Sequence, residues 1–141
     1  MSLSHALEKS VSRQKENTLR KPMVQDRACA EPEHLLLGKY GEDTAVSYLA
    51  AKGYKIIARN IRYKCGEIDI AALDGNEAVI VEVRTRKVGT LMPPEDTVGP
   101  KKLKKLMLLS KIWEQETHFC GFIRIDIVAI TINDGKQPKI E

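Results

Sequence analysis

At 141 residues the chain is long enough for one domain with a full core, and its 43% hydrophobic share is ordinary for a globular protein. A formal net charge of +4 permits a polyanionic partner without establishing one. Cys29, Cys65 and Cys120 form no CxxC pair, which excludes a zinc cluster or disulfide framework and favours a reducing cytoplasm, while the lack of any apolar run near the roughly 20 residues of a bilayer span argues against export or membrane insertion.

Residues 1 to about 33 mix Glu8, Lys9, Arg13, Lys15, Glu16, Arg20 and Lys21 with few large apolar side chains, and Pro22 and Pro32 interrupt them; the segment reads as a mobile arm. Leu3, Leu7 and Val11 recur at helical spacing and leave open a short helix that docks on the domain or on another chain. Residues 34 to 141 are expected to form the folded domain. His5, His34 and His118 are too scattered for a ligand set and read as solvated or capping residues.

A helix is expected from Leu37 to Lys52, closed by Gly53. Glu42, Ala45, Val46 and Leu49 fall at i, i+3, i+4 and i+7, so Glu42 shares a stripe with residues that should face the core. Either the carboxylate complements the dipole of the helix's first turn or it serves a site.

Three strands are expected next, over 54–63, 67–73 and 78–86, with Val79, Val81 and Val83 on the face opposite Ile80, Glu82 and Arg84. If Gly75 and Asn76 form a two-residue hairpin loop, Asp74 pairs with Glu77 and the ladder sets Asp69 opposite Glu82. Their Cβ atoms would then lie roughly 5 Å apart. Like charges so placed are destabilising unless a cation or a proton intervenes, and with Arg84 beside them they point to a bound divalent metal. A one-residue slip would remove the argument.

After a loop holding Pro93, Pro94 and Pro100, a helix is expected over about 101–116, with an apolar stripe of Leu103, Leu106, Met107 and Trp113, and then a strand over 122–132. The order α-β-β-β-α-β implies an α/β fold whose mixed sheet is flanked by helices, since the long crossover lets the last strand run parallel to an inner one. Lys101, Lys102, Lys104 and Lys105 make a dense positive patch that either solvates the outer helix face or, with Arg62, Arg84, Arg86 and Lys87, meets a phosphate backbone. Aromatic residues are 5% of the chain, which disfavours base stacking on single strands and leaves backbone recognition of duplex or branched DNA. Plainer readings suit other residues: ion pairing for Arg124 and Asp126, a solvated strand start for Glu67, core or interface anchoring for Trp113 and Tyr48, and a small buried side chain for Cys65.

Gly41-Glu42, Arg59-Asn60-Ile61-Arg62, Gly66-Glu67-Ile68-Asp69-Ile70, Val81-Glu82-Val83-Arg84-Thr85-Arg86 and Arg124-Ile125-Asp126-Ile127-Val128 together resemble the YraN-like family, over about 40–131. The resemblance implies the restriction-endonuclease-like PD-(D/E)XK fold, similar to Holliday-junction resolvases, and a metal-dependent endonuclease that cuts phosphodiesters in DNA, including branched DNA. It assigns Asp69 and Glu82 as acidic ligands, Glu42 as the helix carboxylate completing the cluster, and position 84 as the site of a lysine. This chain has Arg84 there. Guanidinium holds phosphate and developing negative charge but, staying protonated, does not act as a proton carrier. Asp69 and Glu82, with the Val83 carbonyl and Glu42, make a donor set of the kind Mg²⁺ or Mn²⁺ accepts. Resolvases of this fold imply a homodimer. The alternatives are a nuclease-fold protein that binds nucleic acid without cutting it, and an interaction module whose arm recruits a protein partner.

Overall fold

The computed structural model describes residues 31–89, 98–133 and 135–141, so nearly all of the arm expected over 1–33 and part of the proline-bearing loop lie outside the described residues. The elements are α1 (Glu33–Ala51), β1 (Lys55–Tyr63), β2 (Gly66–Asp74), β3 (Glu77–Lys87), α2 (Pro100–Thr117), β4 (Ile123–Ile132) and β5 (Lys139–Ile140). Helix α1 starts a turn before the expected Leu37, directly after Pro32, whose extended backbone occupies the N-cap. It ends as expected: Gly53 adopts φ +92, its N–H bonds to the Ala50 carbonyl at 3.0 Å and the Tyr54 N–H to the Leu49 carbonyl at 3.0 Å, which is a Schellman closure.

The sheet runs β1-β2-β3-β4-β5, antiparallel except for the parallel β3–β4 pair bridged by α2. The α/β architecture and the parallel closing strand are therefore as the element order implies. Strand β5, two residues long, carries too little pattern to be read from sequence. The β2–β3 hairpin pairs Asp74 with Glu77 through the Gly75-Asn76 loop, and Gly75 takes φ +59 at the first central position, where a II′ turn needs glycine.

Each sheet face carries its own core. Ala45 and Leu49 of α1 pack with Ile70, Ala72, Val79, Val81, Val128 and Ile130, while Leu109 and Trp113 of α2 pack with Ile68, Ala71, Ala78 and Ile80. The alternation of Val79 and Val81 against Ile80 along β3 is thus the division between the two helices. On α2 the expected stripe is rotated: Leu106, Leu109 and Trp113 are buried, whereas Leu103 and Met107 are exposed. The buried positions follow i, i+3, i+7, and extending that line back one turn from Leu106 reaches Lys102. Cys65 is exposed, against the expectation of a small buried residue, because it sits in the turn between β1 and β2. No helix among the described residues is long and apolar enough to cross a membrane.

Candidate active site

The hairpin ladder runs from Asp74 opposite Glu77 to Ile70 opposite Val81 and ends there, one step short of the Asp69–Glu82 pair expected from the turn. Here pairing passes from backbone to side chain. Asp69 Oδ2 accepts the Val83 N–H at 2.8 Å, which ties the carboxylate to β3 and employs Val83 through its amide hydrogen. The partner strand β1 is irregular alongside, with a register shift between Ile56 and Ala58 and Asn60 in the left-handed region at φ +52.

The Asp69 carboxyl is pushed up to about 6. Burial is the chief cause, the Glu82 and Glu42 charges add to it, and the Val83 amide and Lys102 oppose it. Glu42 of α1 and Glu82 of β3 therefore act electrostatically on Asp69 of β2.

Glu82 is 3% exposed and is the buried charged residue among the described residues. Its Oε1 faces Lys102 Nζ at 2.7 Å and Arg84 Nη2 at 3.2 Å. Its Oε2 is buried with no hydrogen-bond partner, and Arg84 Nε shares that condition. A buried carboxylate with one oxygen unsatisfied costs on the order of 1–3 kcal/mol and leaves that oxygen available to a water, an ion or a ligand. A hard divalent cation takes carboxylate oxygen of this kind, so Asp69 and Glu82 fit such an ion in chemistry. Among the described residues, however, no three His, Cys, Asp or Glu side chains stand grouped as a metal ligand set. The Glu82 oxygen that is occupied is held by nitrogen.

Glu42 reaches this region because α1 lies close on β3. A Cβ added to Gly41 would collide with the Thr85 side chain, 2.8 Å from its Cβ and nearer still to its Oγ1. Only glycine permits that approach. Arg59 lies on the outer side, 3.9 Å from Glu42 Oε2 and 2.6 Å from Asp43 Oδ1.

The basic residues divide. Lys101, Lys104 and Lys105 are exposed on α2, and the Lys105 Cε lies over Gly66 in the space a Cβ there would need. Arg62 pairs with Glu67 at 3.3 Å, Arg86 Nε donates to Thr131 Oγ1 at 2.9 Å, and Lys87 pairs with Glu33 at the start of α1. Lys102, grouped by sequence with the outer lysines, instead points inward onto Glu82. The signal was its register with Leu106, Leu109 and Trp113. Arg124 is satisfied by Asp74, Glu77, Asp126 and the Tyr54 hydroxyl, as expected of a structural ion pair.

The profile described as "Uncharacterised protein family UPF0102" matches residues 41–130. A UPF0102 protein of Pseudarthrobacter chlorophenolicus is 41% identical over 107 residues, covering 75% of this chain and 81% of the relative. One from Rhodococcus opacus is 40% identical over 109 residues, covering 77% and 92%, and one from Christiangramia forsetii is 40% identical over 109 residues, covering 77% and 91%.

Proposed function

Because the chain belongs to the uncharacterised protein family UPF0102, the YraN-like, PD-(D/E)XK nuclease-like family its motifs resemble, we propose that it is a metal-dependent endonuclease acting on DNA. The observation that carries this reading is the buried Glu82 with its unpartnered Oε2, next along the hairpin from an Asp69 whose carboxyl is pushed up to about 6. Acids with such perturbed environments cluster at sites of chemistry.

In this reading Asp69 and Glu82 would hold Mg²⁺ or Mn²⁺, with the Val83 carbonyl and Glu42 completing the donors; the bound ion supplies Lewis acidity and a water of lowered pKa. The chain's own residues do the rest. The Val83 amide fixes the Asp69 carboxylate, and Lys102 and Arg84 fix the Glu82 carboxylate, so both acids are oriented before substrate arrives. Arg84 donates to a non-bridging phosphate oxygen and to the negative charge that builds on it. Exposed Lys101, Lys104 and Lys105, with Arg62 and Arg86, meet the backbone phosphates of duplex or branched DNA.

The test is cleavage of duplex, flap, nicked and four-way DNA in Mg²⁺ or Mn²⁺ by the wild type and by Asp69→Asn. Cleavage by the wild type alone, with both proteins folded, is expected; no cleavage of any substrate by the wild type refutes the enzyme.

A second reading is a nuclease-fold protein that binds nucleic acid without cutting it. It is favoured by arginine at position 84 and by the two cations already on Glu82 Oε1. Arg84→Lys separates the two, since activity appearing only in the variant marks a degenerate site and activity in both shows that arginine suffices.

A further inference from the structure

We propose that Lys102 is a catalytic residue that supplies, from helix α2, the ammonium group of the phosphodiester site that strand β3 lacks at position 84. This rests on the nuclease reading above.

Placement is the first argument. Lys102 continues the line of Leu106, Leu109 and Trp113 by one turn, and there its side chain is half-buried and turned toward Glu82. Its neighbours Lys101, Lys104 and Lys105 are exposed, so α2 turns one lysine inward and keeps the others out. Contact is the second. The ammonium lies 2.7 Å from Glu82 Oε1, closer than the Arg84 guanidinium at 3.2 Å, and the two cations share that one oxygen while Oε2 stays unpartnered. Lys102 thus holds the partnered oxygen of the Glu82 carboxylate and acts electrostatically on Asp69 as well.

Chemistry is the third. An ammonium has three donors, and one spent on Glu82 leaves two for a water or a phosphate oxygen. It is a compact charge on a flexible stem, able to follow a phosphate from ground state to transition state, whereas the guanidinium of Arg84 is planar and always protonated. A lysine that merely neutralised Glu82 would have no further task, and the two roles predict different behaviour.

The experiment uses the full chain with the DNA substrate that the wild type cuts in Mn²⁺, and compares Lys102→Met with Lys102→Met/Arg84→Lys. Mn²⁺ binding is read by calorimetry and folding by melting. We expect Lys102→Met to lose about 100-fold in kcat with KM within about threefold, the pattern of a missing transition-state donor. Its Mn²⁺ affinity should be equal to the wild type's or tighter, because a competitor for Glu82 is gone. The double variant should recover at least about tenfold, because a lysine at 84 meets the same oxygen. If Lys102→Met fails to fold, Lys102→Gln is read in its place. The assignment is overturned if the variant keeps kcat within about threefold of wild type, if the loss lies wholly in KM, if Mn²⁺ binding disappears with it, or if lysine at 84 restores nothing. A wild type that neither binds Mn²⁺ nor cuts DNA refutes the nuclease reading itself, a result distinct from failure of the variant alone.

Discussion

Asp69 and Glu82 concentrate unfavourable energy that the rest of the fold sustains. An acid whose carboxyl is raised to about 6 holds its proton more tightly folded than unfolded, so the metal-free protein loses stability from this group as pH rises from about 4 through about 6, and the loss is complete above it. Asp69→Asn should therefore stabilise the protein relative to wild type more at about pH 7.5 than at about pH 4.5, measured by urea unfolding without metal. An equal difference at both values would mean that the carboxyl is not perturbed. The hairpin register was legible in the sequence, because Gly75-Asn76 fixes it from Asp74–Glu77 to Ile70–Val81, but the ladder stops before Asp69, whose carboxylate bonds to the Val83 amide instead. The place of Lys102 was not legible, because polar and apolar patterning assigns a lysine to the outer helix face. The half-buried Lys102 is drawn inward by the buried Glu82 carboxylate, which the pattern does not show.

At the scale of elements, the orientation of α2 decides what faces the site. Leu109→Ala should cost about 2–5 kcal/mol, while Leu103→Ala, on the exposed side, should stay within about 0.5 kcal/mol, both read by thermal or urea unfolding. The reverse order would restore the stripe expected from sequence. The expected stripe was right at Leu106 and Trp113 and wrong at Leu103 and Met107, because this helix carries apolar residues on both sides of the line through Leu106, Leu109 and Trp113. The approach of α1 is testable in the same way. Gly41→Ala must push the helix off Thr85, with a loss of about 1–3 kcal/mol, and should weaken DNA cleavage further by withdrawing Glu42. Unchanged stability would show that α1 has room to spare. Helix ends were read partly from sequence, correctly at Gly53, whose conformation stops α1, and a turn late at the start, where Pro32, read as an interruption of the arm, is the N-cap residue of α1.

On the scale of the whole molecule, a sheet covered by a helix on each side sets Lys102 of α2 against Glu82 of β3 and leaves Glu42 of α1, Glu82 and Lys102 within electrostatic reach of Asp69. The topology followed from element order, because a meander continued through a helix has few ways to close. The electrostatics did not, since they depend on which side chains the closed fold leaves unpaired. If the exposed lysines of α2 bind a phosphate backbone, Lys101→Ala/Lys104→Ala/Lys105→Ala should weaken DNA binding and flatten its salt dependence by up to about three phosphate contacts, measured by fluorescence anisotropy over a salt series. An unchanged slope would confine those lysines to solvation. The central claim, that Asp69 and Glu82 hold a divalent cation, is tested most directly by titrating Mn²⁺ into wild type and Asp69→Asn in a calorimeter at about pH 7.5, above the Asp69 transition. Saturable binding by the wild type that is weakened at least about tenfold in the variant is the predicted result; equal binding by both, or none by the wild type, would contradict it.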